Sequence, residues 1–120
     1  HAITGAEVAK RDFPDYTDDE IISGVRWHTT CRDGMTVFES IIFLADFIEE
    51  TRTFDDCVAV RKYFYDNISS CADKFKVLRE TMVYAFDLTV RRLVDDGGII
   101  DGDTVAARNF FIISGKQKQD

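Results

Sequence analysis

The stretch 72–94, ADKFKVLRETMVYAFDLTVRRLV, sets the period that the rest of the chain must match. Phe75, Leu78, Met82, Ala85, Phe86, Thr89 and Leu93 recur at helical spacing over about six turns. A helix with one apolar stripe must bury that stripe against other elements. No segment alternates apolar and polar residues in the manner of a strand, and proline occurs once, at Pro14. The partners therefore read as helices too, and the fold class is all-α, a helical bundle.

The punctuation agrees. HAITGAEVAKRDF carries Ile3, Ala6, Val8 and Ala9 at near-helical spacing, and FPDY breaks it. Thr17 opens TDDE, a capping-box pattern with Glu20, before a helix bearing Ile21, Ile22, Val25 and Trp27. CRDG reads as a turn. Thr36 with Glu39 is a second capping box, starting an apolar helix expected to run through Glu50. In FDDCVAVRKYFYDN, a short helix should turn Cys57, Val58, Val60, Tyr63 and Phe64 inward. Gly97 is the expected C-terminal cap of the long helix, and DTVAARNFFIIS forms the last helix. The domain is expected over residues 1–115, with 116–120 a disordered tail.

The composition narrows the function. A net charge of −7 argues against a general nucleic-acid surface, which needs clustered cations. It leaves room for a small phosphorylated ligand held by a metal. The three cysteines, Cys31, Cys57 and Cys71, contain no C-x-x-C pair, which favours a reducing, cytoplasmic compartment over a disulfide framework. No apolar run is long enough to span a membrane, so no membrane partner is expected.

Within IIFLADFIEE, Asp46 is a carboxylate among apolar neighbours, costly to bury unless paired or coordinating. Arg52 follows six residues later, about 9 Å further along a continuing helix. That separation would let the carboxylate hold a metal at one phosphate while the guanidinium takes the next. The two histidines, His1 and His28, each have a glycine one helical turn away, Gly5 and Gly24. A helical glycine costs about 1 kcal/mol against alanine, and its usual return is close approach of a backbone or ligand. His28 could equally cap its helix, and EETR could be an ordinary charged helix end. Taken alone, these residues indicate a helical domain with a candidate His/Asp metal or phosphate site.

The string RWHTTCRDGMTVFESIIFLADFIEETR resembles the central signature of the YqeK-type branch of the HD-domain phosphohydrolases. That signature runs H-T-T-G-R, then M-[TS], then E-K-I-I-[YF]-[LV]-A-D-[YF]-I-E-P-x-R. His28, Thr29, Thr30, Arg32, Met35, Thr36, Glu39, Asp46, Glu49 and Arg52 fall on it. HAITGAEVA is similar to the family's H-x-x-x-G-A-x-x-A, and GGIIDGDTVAARN to its G-x-x-I-x-P-D-T-x-x-A-R-N. The resemblance covers nearly the whole chain. It implies an HD-domain-like bundle and about two-thirds of a family domain, without the helices that carry another histidine and the His-Asp doublet. Such a fragment alone is expected to be nearly inactive.

The resemblance implies symmetrical hydrolysis of diadenosine tetraphosphate to two ADP, with bound iron, manganese or another divalent metal. Asp46 matches the last metal ligand. His1 and His28 match histidines that face the phosphates, or a second metal if one binds, and Arg52 matches the phosphate-gripping arginine. Ile100, Asp101, Gly102, Asp103, Thr104 and Val105 match the loop that cradles the nucleoside end. The implied partners are a dinucleoside polyphosphate or ADP, with a homodimer left open. Alternatives are an HD-type hydrolase of another nucleotide, or a non-catalytic helical nucleotide-binding module. Cys31 stands where the family has glycine, Glu50 and Gly102 where it has proline, and the chain is longer than usual around DNISSCADKFK. These departures bear on substrate preference more than on fold.

Overall fold

The computed structural model describes residues 2–28 and 31–119. Among them are six α-helices, one 3-10 turn over Pro14–Tyr16, and no strand. The helices are α1 (Ala2–Asp12), α2 (Asp19–Trp27), α3 (Val37–Phe47), α4 (Asp55–Ile68), α5 (Lys74–Asp95) and α6 (Gly102–Gln119). The all-α expectation is met. Helix α6 continues through 116–119, where the sequence reads as a tail.

The long helix α5 is the hub. It packs on α3, α4 and α6, while α1 packs on α2 and α2 on α3. Met82, Ala85 and Phe86 of the expected stripe are buried, together with Val60 of α4, Phe43 and Leu44 of α3, and Ala107 and Phe111 of α6. An aromatic ladder ties three helices together: Phe43 to Phe86 at 5.3 Å between ring centroids, and Phe86 to Phe111 at 6.1 Å. Phe75 and Val58, both expected inside, are 58% and 45% exposed. Val58 faces outward between buried Cys57 and Val60, and in the first two turns of α5 Val77 and Thr81 are buried instead of Phe75.

The radius of gyration is 15.0 Å, above the about 13.6 Å expected for a compact chain of this length. The α1–α2 pair accounts for it by reaching the bundle through α3. Ile3, Phe13 and Ile21 are exposed on that arm, while Ala6 is buried.

Local signals place the helix ends. Asp18, not Thr17, is the N-cap of α2: its Oδ1 accepts from the Ile21 amide at 2.8 Å, and the Thr17 hydroxyl donates back to the Phe13 carbonyl. The Thr36–Glu39 capping box is complete in both directions. The α5 terminus is a Schellman motif: Gly97, at φ +68°, donates to the Val94 carbonyl and Gly98 to that of Leu93. Gly24 answers to packing against Phe38, whereas a Cβ at Gly5 would make only ordinary contact. A Cβ on Gly24 would lie 2.6 Å from the Phe38 ring, and one on Gly5 3.4 Å from Val25.

Candidate active site

Four separated segments converge on one cleft of about 380 Å3. His28 enters from the end of α2, Asp46 and Arg52 from the end of α3 and the turn after it, Thr89 and Arg92 from α5, and Thr104 from the first turn of α6. Phe43, Phe47 and Phe86 form its apolar wall. His1, Thr29 and Thr30 lie outside the described residues.

His28 caps α2, and its Nδ1 lies 2.6 Å from the Val25 carbonyl oxygen. That contact assigns the proton to Nδ1 and makes Nε2 the basic nitrogen of the neutral ring. Cys31 follows at φ +58°. A left-handed backbone there accounts for the glycine of the family pattern, since only glycine adopts it without a Cβ penalty. Burial pushes the Cys31 thiol up to about 12, and Asp101 and Asp103 add to this against partial relief from Thr104. A thiol so shifted is protonated at neutral pH and is not a nucleophile.

Asp46 sits in the last turn of α3. The helix stops at Phe47 and not at Glu50. Arg52 is therefore not carried 9 Å up the axis. A tight turn, with the Arg52 amide donating to the Glu49 carbonyl at 2.9 Å, brings the chain back. Nη2 of Arg52 then lies 3.0 and 3.1 Å from the two Asp46 oxygens. Asp46 is not shut in an apolar core: its side chain is 40% exposed, and that of Arg52 43%. An ion pair this open contributes about 0–1 kcal/mol, so it can be exchanged for a ligand at small cost.

Arg61 of α4, which sequence reasoning passed over, holds the turn. Its guanidinium donates to the carbonyls of Ile48, Glu49 and Arg52 at 2.8, 2.7 and 2.7 Å. In the first turn of α3, Glu39 is 1% exposed. It accepts from Arg32 through two bonds of 2.9 and 2.7 Å, and from the Ser23 hydroxyl. Burial alone would raise the Glu39 carboxyl, but Arg32, Ser23 and the Thr36 amide outweigh it and hold it below its ordinary value.

Of the segment Ile100–Val105, Thr104 lines the cleft; Ile100, Asp101, Gly102, Asp103 and Val105 do not. Residues 102–105 form the first helical turn of α6 and not a loop. Asp101 Oδ1 accepts from the Asp103 amide at 2.8 Å, tying down that turn. Gly102 is the first residue of the helix, where proline is favoured, which accounts for the family's proline.

Among the described residues, no group of three or more His, Cys, Asp or Glu comes together as a metal site. Asp46 fits as one carboxylate ligand, freed by releasing Arg52. The described residues do not hold a metal by themselves.

The fold is of the HD-superfamily type. A crystal structure of a predicted HD superfamily hydrolase involved in NAD metabolism, from Clostridium acetobutylicum, superposes with a TM-score of 0.76 and 29% identity, covering 95% of this chain and 55% of that one. The symmetrical bis(5'-nucleosyl)-tetraphosphatase of Bacillus subtilis (strain 168) is 33% identical over 84 residues, 70% of this chain and 44% of that protein. Its namesake in Staphylococcus aureus (strain NCTC 8325 / PS 47) is 32% identical over 75 residues, 61% of this chain and 39% of that protein. No family model matches the chain. In sequence and architecture the chain fits the YqeK-type branch of the HD-domain phosphohydrolases. The matches span less than half the length of these curated relatives.

Proposed function

We propose that the full-length protein is a metal-dependent phosphohydrolase that cleaves diadenosine tetraphosphate symmetrically into two ADP. The observation that carries this is the convergence of His28, Asp46, Arg52 and Thr104 on one cleft. These residues come from two motif stretches that correspond to the family pattern. Relatives named as symmetrical tetraphosphatases point to the same reaction.

The residues of this chain divide the work. Arg52 leaves Asp46 and grips a phosphate through charged hydrogen bonds. Asp46 is then available as one metal ligand, with the others outside the described residues. When bound, iron, manganese or a similar ion supplies an acidified water and charge neutralisation at the phosphoryl oxygens. His28, held by Val25 through Nδ1, can donate toward charge that develops on the polyphosphate once Nε2 also carries a proton. His1 is assigned the same task by the motif. The first turn of α6, with Thr104, borders the nucleoside end. The phenylalanine wall keeps water from the rear of the cleft and so strengthens these charge interactions.

Arg52→Ala tests the assignment. A lost charged hydrogen bond is worth about 1.5–3 kcal/mol. In the full-length protein kcat/KM for diadenosine tetraphosphate should therefore fall by about ten- to a hundredfold. Metal content, measured by elemental analysis, should be unchanged. Loss of metal would make Arg52 structural, and unchanged kcat/KM would remove it from the site.

A further inference from the structure

We propose that Arg92 is a second phosphate-binding residue of this cleft, positioned by Asp56, and that it selects for a polyphosphate chain over a shorter phosphate. The proposal rests on the phosphohydrolase reading above. In a chain of net charge −7, the charged lining of the cleft comprises two arginines, Arg52 and Arg92, and one carboxylate, Asp46, beside His28. That excess of guanidinium suits a ligand with several negative charges in a row.

The two arginines arrive from different elements. Arg52 comes with the turn after α3, and Arg92 from the last full turn of α5. Arg92 is 55% exposed, and its Nε lies 3.1 Å from Oδ2 of Asp56. That oxygen is buried and makes no hydrogen bond of good geometry among the described residues. Arg92 is thus its compensating charge, and the contact uses Nε on a side chain that lines the cleft. Asp56 lies in the first turn of α4, four residues after Arg52. The segment that delivers one arginine to the cleft therefore also anchors the other. A single phosphate needs only one of these grips, whereas an extended chain can use both.

The test compares Arg92→Ala, Arg92→Lys and Asp56→Asn in the full-length protein. Calorimetric binding of inorganic tripolyphosphate and of orthophosphate is measured, together with steady-state kinetics on diadenosine tetraphosphate. Arg92→Ala should weaken tripolyphosphate binding and raise KM by about tenfold, with kcat within about twofold and orthophosphate affinity little changed. Arg92→Lys should restore part of the loss, since it keeps the charge and not the fork. Asp56→Asn should give an intermediate effect. If Arg92→Ala lowers Tm while tripolyphosphate affinity and KM hold, the pair is only a clasp between α4 and α5 and the proposal fails. If the unmutated protein binds no tripolyphosphate, the phosphohydrolase reading fails with it.

Discussion

Replacing Glu39 with alanine is expected to destabilise the protein by about 3 kcal/mol, or roughly 12 °C in Tm. The side chain is fully buried and receives both guanidinium bonds of Arg32, the Ser23 hydroxyl and the Thr36 amide. Truncation leaves those donors facing a void at the junction of α2, the turn and α3. The value lies at the low end for a broken buried ion pair because Arg32 is 37% exposed and can turn to water. Glu39→Gln keeps the shape and part of the hydrogen bonding, and should cost about 2 kcal/mol. The pH dependence has a definite sign. The folded carboxyl is held below its ordinary 4.5, so the unfolded chain takes up a proton first as pH falls. Stability from this residue is fully present above about pH 4.5 and is lost as pH drops through the lower, folded value. Denaturant titrations at pH 7 and pH 3 measure both effects. A change below about 1 kcal/mol at pH 7 would show that the network is dispensable.

Asp46→Asn should remove metal and lower turnover of the full-length protein by on the order of a hundredfold or more. The amide preserves size and loses the charge that a hard or borderline ion requires. Because Asp46 is 40% exposed and its pair with Arg52 equally open, metal-free stability should change by less than about 1 kcal/mol. Elemental analysis, turnover and Tm in chelator separate the outcomes. Metal and turnover retained with stability lost would make Asp46 a structural partner of Arg52. Loss of all three would mean that the residue supports the end of α3.

Short-range signals in the sequence survive in the structure. The Thr36–Glu39 box and the Gly97 terminus depend on residues three or four apart, and both form. The inward stripe of α5 holds at Met82, Ala85 and Phe86, where three helices meet. It fails at Phe75, because periodicity names a face without saying how far a neighbour covers it. Asp46 and Arg52 were legible as a pair of interest, but their geometry was not. Where α3 ends depends on Arg61, on another helix, gathering the carbonyls of Ile48, Glu49 and Arg52. Nothing in RRLV distinguishes Arg92 from Arg91; only the approach of Asp56 does so. Gly24 sits one turn before His28, yet it answers to Phe38 and not to a ligand.

The most direct measurement of the central claim is product analysis. The full-length protein, loaded with iron or manganese, is incubated with diadenosine tetraphosphate, and the nucleotides are resolved by ion-exchange chromatography at early times. Symmetrical cleavage predicts ADP as the sole initial product, two molecules for each substrate consumed, with the yield abolished in Asp46→Asn. Equal amounts of ATP and AMP would contradict it, as would an intact substrate under conditions where the protein is folded and metal-loaded.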